Sequence, residues 1–303
     1  MAAHQLVENL KNIHAEQLDE HLYLIIGKNN GTFPYSNSLL IVDEQTAFID
    51  SGTGLEVLLP IRDHVDFLIN SHYHIDHVSG NHLFSELRVF EVEEGVTSSF
   101  ESYRRYAGIL GSPVEKDWLS WFNEYFTFHP SSPTQTFGPD EVFELGDTSW
   151  IAVHTPGHSP GHCCFYEPEK KVMFASDIDL SDFGPWYGNP NANLGQFIES
   201  IKMISDFDMN MIVTSHTMPL RNNIQEALEN YLGVIYERDE RILGFLEMEM
   251  TVAALEKKNI IYTKRQKRYG AFAWFEENMI QKHLDRLIEL HRVVREGDTY
   301  RAI

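Results

Sequence analysis

The apolar positions of the first 90 residues come in short runs broken by turn residues: HLYLIIG from His21, SNSLLIVD from Ser36, TAFIDSG from Thr46 and VDFLIN from Val65. Runs of this length, bounded by groups such as Asn29-Asn30-Gly31 and Asp43-Glu44, predict strands of a sheet with one face covered. Residues 4–18 predict a short helix, 55–61 a second that stops near Pro60, and 80–85 a third after Gly80; 88–90 predicts one more strand. From 91 to 133 the period changes. Phe100, Tyr103, Tyr106, Leu110, Trp118, Trp121, Phe122, Tyr125 and Phe126 recur at spacings of three and four, which predicts a helical insertion whose aromatic stripe is chiefly packing.

Strand patterns return at 141–143 and 149–154, then as a hairpin over 163–166 and 171–175. A loop rich in Gly, Pro and Asn follows at 181–195, then a helix to about 206 and a last strand at 211–214. After Pro219 the strand signals stop. Residues 224–246, 252–258 and 275–290 predict helices, and the final RVVREGDTYRAI predicts a hairpin turning at Glu296-Gly297-Asp298. The pattern therefore predicts an α/β (α+β) chain in two parts: a large unit over 1–221, carrying the insertion, and a small helical, winged-helix-like unit over 222–303.

Composition narrows this picture. No run of about 18 apolar residues exists, so no membrane span is expected, and the N-terminal MAAHQLVENLKNIHAEQ lacks the apolar core of a secretory signal. The two cysteines, Cys163 and Cys164, are adjacent and badly placed to pair, so they predict strand packing and a cytoplasmic setting. The net charge is -21, from 24 Lys+Arg and 45 Asp+Glu. The segment from Arg221 onward holds 14 of each, which leaves 10 basic and 31 acidic residues in the first 220. So acidic a surface repels polyanions and weighs against nucleic acid as the partner of the large unit.

The chemistry concentrates at strand ends. Directly after the run at 65–70 comes SHYHIDHVSG, with His72, His74, Asp76 and His77 inside six positions. Side chains two apart on a strand point the same way, and the pair beyond the turn reaches a neighbouring point in space. That layout suits two metal ions better than one. The strand at 149–154 ends in HTPGHSPGH, the strand at 171–175 in Asp177, and the strand at 211–214 in His216. A carboxylate at the end of a buried strand is costly unless paired, hydrogen-bonded or on a metal. Asp50, at the end of the run from Thr46 and next to Ser51 and Gly52, either stands near these loops or stabilises its own turn, and the turn role is the favoured reading.

The set HxHxDH, GHSPGH, a strand-end Asp and a late His resembles the metallo-β-lactamase superfamily over roughly residues 20–220. The resemblance implies an αββα sandwich with two metals at one edge. It implies His72, His74 and His158 on the first metal, Asp76, His77 and His216 on the second, and Asp177 on both, with His154 and His162 either backing the ligands or structural. It also implies a hydrolase that attacks a small ester, thioester or lactone with a metal-bridging hydroxide, Asp76 orienting the nucleophile or taking its proton. Imidazole and carboxylate ligands suit zinc, with iron or manganese as alternatives. Phe183, Trp186 and Tyr187 of the 181–195 loop are the expected substrate contacts. The sequence departs from the family's common form at His216, flanked by Ser215 and Thr217 where glycine is usual. The tail does not match the glutathione-recognising helices of glyoxalase II and is similar to the winged-helix tail of relatives of β-lactamase-like protein 2.

Two other functions compete. A metal-dependent nuclease or phosphodiesterase would use the basic cluster Lys264, Arg265, Lys267 and Arg268; a mononuclear iron enzyme akin to persulfide dioxygenases would consume oxygen. A non-enzymatic role, in which the tail makes a homodimer and the large unit is a scaffold, conflicts with the full ligand set.

Overall fold

The computed structural model describes residues 2–264 and 270–303, so Arg265, Lys267 and Arg268 of the basic cluster lie outside the described residues. Two sheets face each other. The first contains β1 (Ala15–Gln17), β2 (Leu22–Ile25), β3 (Ser38–Ile41), β4 (Ala47–Ile49), β5 (Phe67–Ile69), β6 (Leu87–Phe90) and β7 (Gln135–Phe137), in that order. Pairing is antiparallel from β1 to β4 and parallel from β4 to β7. The second runs in reverse chain order, from β12 (Met211–Val213) through β11 (Val172–Phe174), β10 (Cys163–Glu167) and β9 (Ser149–His154) to β8 (Val142–Glu144).

The period of two along each strand sorts side chains between layers. Leu22, Leu24, Leu39, Ile41, Ile49 and Ile69 meet Trp150, Ala152, Cys163, Phe165 and Phe174 in the core between the sheets. Their sequence neighbours Tyr23, Ile25, Leu40, Phe48 and Leu68 point to the other face and pack under α1 (Ala2–Leu10) and α2 (Leu55–Leu58). On the second sheet, Val153, Cys164 and Met173 face outward into a third core with α4 (Phe100–Tyr106), α5 (Glu115–Tyr125) and α6 (Leu194–Ser205). Helices thus cover both outer faces, as the αββα expectation requires. The α6 residues Phe197, Ile198, Ile201 and Ile204 follow the helical period, and Asn193 caps the helix by accepting from the Gln196 amide.

The tail contributes α7 (Ile224–Phe245), α8 (Val252–Glu256), α9 (Gly270–Glu289) and a hairpin, β13 (Val293–Glu296) with β14 (Thr299–Ala302). Ile224, Leu228, Tyr231 and Ile235 of α7 and Phe275 and Met279 of α9 join the core on the second sheet's outer face. The far part of α7, with Ile242, packs instead against α8, α9 and the hairpin.

Three local expectations are corrected. Residues 15–17 are not helical: Ala15 and Gln17 pair with Ile25 and Tyr23 as an edge strand, because a backbone partner outweighs weak helix propensity. The segment after Gly80 makes one turn of 3-10 helix, Asn81–Leu83. The 91–133 insertion opens with two 3-10 turns, Glu91–Glu93 and Val96–Ser98, then carries two separate α-helices, α4 and α5, and the chain beyond Tyr125 returns to β7 without further helix. Among the described residues no helix is long and apolar enough to cross a membrane.

Candidate metal centre

Strand direction explains why the loaded loops meet. β9 and β11 are both antiparallel to β10 and therefore run the same way, and β12 is parallel to β11. Their carboxyl ends release His158, Asp177 and His216 at one edge. β4 and β5 are parallel and release Asp50 and His72 at the first sheet's edge. The two edges are tied together: the Cys163 amide donates to the Ser71 carbonyl at 2.9 Å, the Asn37 amide to the Ser215 carbonyl at 2.6 Å, and the Ser71 and Ser176 hydroxyls lie 2.7 Å apart. His74 is the residue before α3 (Ile75–Val78), which holds Asp76 and His77.

Seven side chains converge there in two groups, His72, His74, His158 and Asp177, and Asp76, His77 and His216; within each group the ligand-type atoms lie within 4.8 Å of one another. In the first group His158 Nε2 is 2.8 Å from His74 Nδ1 and 3.1 Å from His72 Nε2. Asp177 spans both: Oδ2 is 3.1 Å from His158 Nε2, while Oδ1 is 3.0 Å from His77 Nε2 and 3.4 Å from His216 Nε2. Asp76 Oδ2 lies 3.6 Å from His216 Nε2.

The opposite ring nitrogens are already engaged. His158 Nδ1 donates to the Trp186 carbonyl at 2.9 Å and His216 Nδ1 to the Gly31 carbonyl at 2.8 Å. His77 Nδ1 donates to Asp50 Oδ2 at 2.8 Å, and the side-chain amide of Asn189 is 2.8 Å from His74 Nε2. A carbonyl or carboxylate only accepts, so the inward nitrogens of neutral His77, His158 and His216 are lone pairs. Lone pairs that converge on carboxylate oxygens repel unless a cation sits among them. His77 Nε2 and Asp177 Oδ1 are buried and, although 3.0 Å apart, do not meet in hydrogen-bond geometry, as ligand atoms directed at a metal would not.

The electrostatics divide the site in the same way. Burial, and then the charges of His77 and His74, hold His72 well below its ordinary basicity; burial and His158 do the same to His74. Burial also opposes charge on His77 and His216, but Asp177 and the neighbouring acids outweigh it, raising His216 to about 9 and His77 well above its ordinary value. The two aspartates therefore require positive charge at this end of the centre, whether protons or metal. His72 and His77 side chains are 0% exposed, Asp177 and His216 11% and 13%, so the centre opens to solvent on the Asp177–His216 side.

Supporting residues without a local sequence signal also appear. Asp50, expected as a turn residue, is fully buried at the centre and accepts from the Ser71 amide and hydroxyl as well as from His77. Its φ of 66° puts it in the left-handed region. His162 accepts from the Asp177 amide at Nε2 (3.2 Å), and burial lowers it to about 3. His154 donates to the Pro160 carbonyl, away from the centre. Glu93 lies beneath the His158 loop, accepting from the Ser159 hydroxyl and the Gly161 amide.

Of the aromatic loop residues, Trp186 packs against His74 and His158, with ring centroids 5.5 and 5.7 Å away. Phe183 stands one ring further out, against Tyr262 at 5.2 Å. Tyr187, expected among the substrate contacts, is instead fully buried; its hydroxyl pairs with His283 at 2.7 Å and accepts from Arg238 at 3.0 Å. The polar loop composition hid this, because the covering helices lie far downstream.

Known proteins resemble this chain in sequence and in fold. The family model described as the metallo-beta-lactamase superfamily matches residues 31–216. The acyl-coenzyme A thioesterase MBLAC2 of Gallus gallus is 27% identical over 156 residues, 51% of this chain and 53% of that protein. The hydroxyacylglutathione hydrolase GloC of Haemophilus influenzae is 30% identical over 156 residues, 48% of this chain and 67% of that enzyme. The chain thus spans about half the length of the thioesterase it matches. A metallo-beta-lactamase family protein of Thermus thermophilus has the same fold, with a TM-score of 0.72 at 21% identity over 95% of this chain and 100% of that one.

Proposed function

This chain belongs to the metallo-beta-lactamase superfamily, and from that premise we propose that it hydrolyses small thioesters at a dinuclear metal centre. The observation that carries the reading is Asp177, which presents one oxygen to each ligand group. His72, His74 and His158 would hold one metal, Asp76, His77 and His216 the other, and the imidazole-rich donor set favours zinc. Bound there, such a pair supplies Lewis acidity and brings the pKa of a water to roughly 7.

The chain's own residues do the rest. Asp177 and the histidines fix the direction of approach to the carbonyl carbon. Asp76, at the solvent-facing end, takes the proton of the attacking water and returns it to the departing thiolate as the C–S bond breaks. Trp186 offers an apolar face beside His74 and His158, and Phe183 with Tyr262 extends that wall; the acyl part of the substrate lies along it. The names of the thioesterase and the hydroxyacylglutathione hydrolase support thioesters over esters and lactones.

The test is the purified protein on panels of acyl thioesters, lactones and RNA, with and without chelator. Chelator-sensitive thioester turnover above the other panels is expected. Turnover indifferent to chelator, or confined to RNA, overturns the reading.

A further inference from the structure

The stretch from Phe183 to Asn189 faces two ways. Toward the centre, the Trp186 carbonyl holds His158 Nδ1 and the Asn189 amide sits against His74 Nε2. Away from it, the backbone is gripped by α7 and α9. Arg238 donates to the Phe183 carbonyl at 2.6 Å and to the Pro185 carbonyl at 2.5 Å. Asn278 donates to the Gly188 carbonyl at 3.0 Å and Lys282 to the Asn189 carbonyl at 2.9 Å. Four carbonyls of one seven-residue stretch thus receive tail side chains, three of them charged contacts, which are the stronger kind.

Among the described residues, Asp76, His77 and His216 have no such tie; the Tyr231 hydroxyl of α7 donates to the Asp177 carbonyl at 3.1 Å, but Asp177 faces both groups alike. His77 is held by Asp50 and His216 by Gly31, both in the first 50 residues. His72 has Ser71 Oγ 3.0 Å from its Nδ1.

We propose that Arg238, Asn278 and Lys282 are positioning residues for the His72–His74–His158 metal site alone: acting through the 183–189 stretch, they set the orientation of His74 and His158 and hence that site's affinity. The tail thereby tunes one of two adjacent metals without touching either. Groups that orient metal-bound histidines govern affinity by roughly 10–100-fold, and a group acting through them governs the lower end of that range. The proposal rests on reading the two clusters as metal sites.

Zinc affinity of the full chain, measured by competition with a chromophoric chelator, tests it. In an Asp76→Ala background, which leaves the trihistidine site, Arg238→Met and Lys282→Met each weaken zinc binding about tenfold. In a His158→Ala background, which disables that site, the same changes leave the remaining affinity unaltered. Ile242→Val, buried in the far part of α7 away from the stretch, costs stability but leaves both affinities in place. Equal affinities with and without Arg238→Met, or equal losses in both backgrounds or from Ile242→Val, overturn the proposal. If Arg238→Met does not fold, Asn278→Ala and Lys282→Met decide the matter. Unaltered protein that binds no zinc removes the metal reading itself, a failure seen before any tail variant is made.

Discussion

Asp50 Oδ2 accepts the Nδ1 proton of His77 at 2.8 Å, and both side chains are fully buried. One carboxylate thereby fixes the ring angle and the tautomer of a ligand-type histidine 27 residues further on, while its other oxygen takes the Ser71 amide. Asp50→Asn keeps the backbone, because Asn tolerates a positive φ, but removes the charge that demands the Nδ1 proton. Metal affinity at the Asp76–His77–His216 group should fall roughly 10–100-fold, with kcat falling in step. Zinc content after dialysis, alongside turnover, checks this.

Among the described residues, Asp177 sets one carboxylate oxygen against each group. Asp177→Asn should retain fewer than two metals per chain and lose more than about 100-fold in activity, a larger effect than any supporting residue produces. Chelation of the unaltered protein should abolish thioester turnover, and added zinc should restore it. Elemental analysis of the variant and a reconstitution assay give the two readouts.

The path of the chain at Gly157 leaves no room for a side chain. Its φ is 132°, and a Cβ there would stand 2.2 Å from the Phe197 amide nitrogen of α6. Gly157→Ala should cost about 2–3 kcal/mol through strain and displaced backbone. Because His158 is the next residue, zinc retention should drop as well, where an equally destabilising change far from the centre would spare it. Thermal melts of apo and zinc-loaded protein separate the two effects.

Glu93 gives a pH signature. Burial raises its carboxyl to about 8 from an ordinary value of 4.5, with Ser159 and Gly161 opposing only part of that shift. Between these values the unfolded chain has released the proton and the folded chain retains it. The native state binds more protons, so this group's contribution to stability falls as pH rises from about 4.5 to 8. Glu93→Gln cannot titrate. Plotted against pH, the stability of the unaltered protein relative to this variant should decline by roughly a few kcal/mol across that window. Urea melts at several pH values would show a flat difference if the carboxyl ionises normally.

Legibility in the sequence followed the reach of each interaction. The four ligand-type residues of the first loop announce themselves because they crowd six positions, and Asp177 and His216 because each follows a recognisable strand, whereas only the family resemblance picks His158 out of the three histidines of its loop. The role of Asp50 depends on partners 21 and 27 residues away, and no local period carries that. Tyr187 sits in a loop of small and polar residues, yet His283, 96 positions on, seals it from solvent. The edge strand at Ala15–Gln17 is three residues long, too short for alternation to register. Residues that support the centre through backbone carbonyls, such as Trp186 and Gly31, leave no mark at all, since any side chain carries the same carbonyl.

The adjacent cysteines alternate between layers, Cys163 into the space between the sheets and Cys164 beneath the outer helices. Burial pushes Cys164 up to about 12 and Cys163 well above its usual value, so neither offers a thiolate to a reagent in the folded protein. The wild-type chain is therefore a ready background for site-directed labelling. A single new cysteine at Met248, 75% exposed beyond the end of α7, would take a maleimide dye alone, and unfolding would announce itself as two further sites of modification.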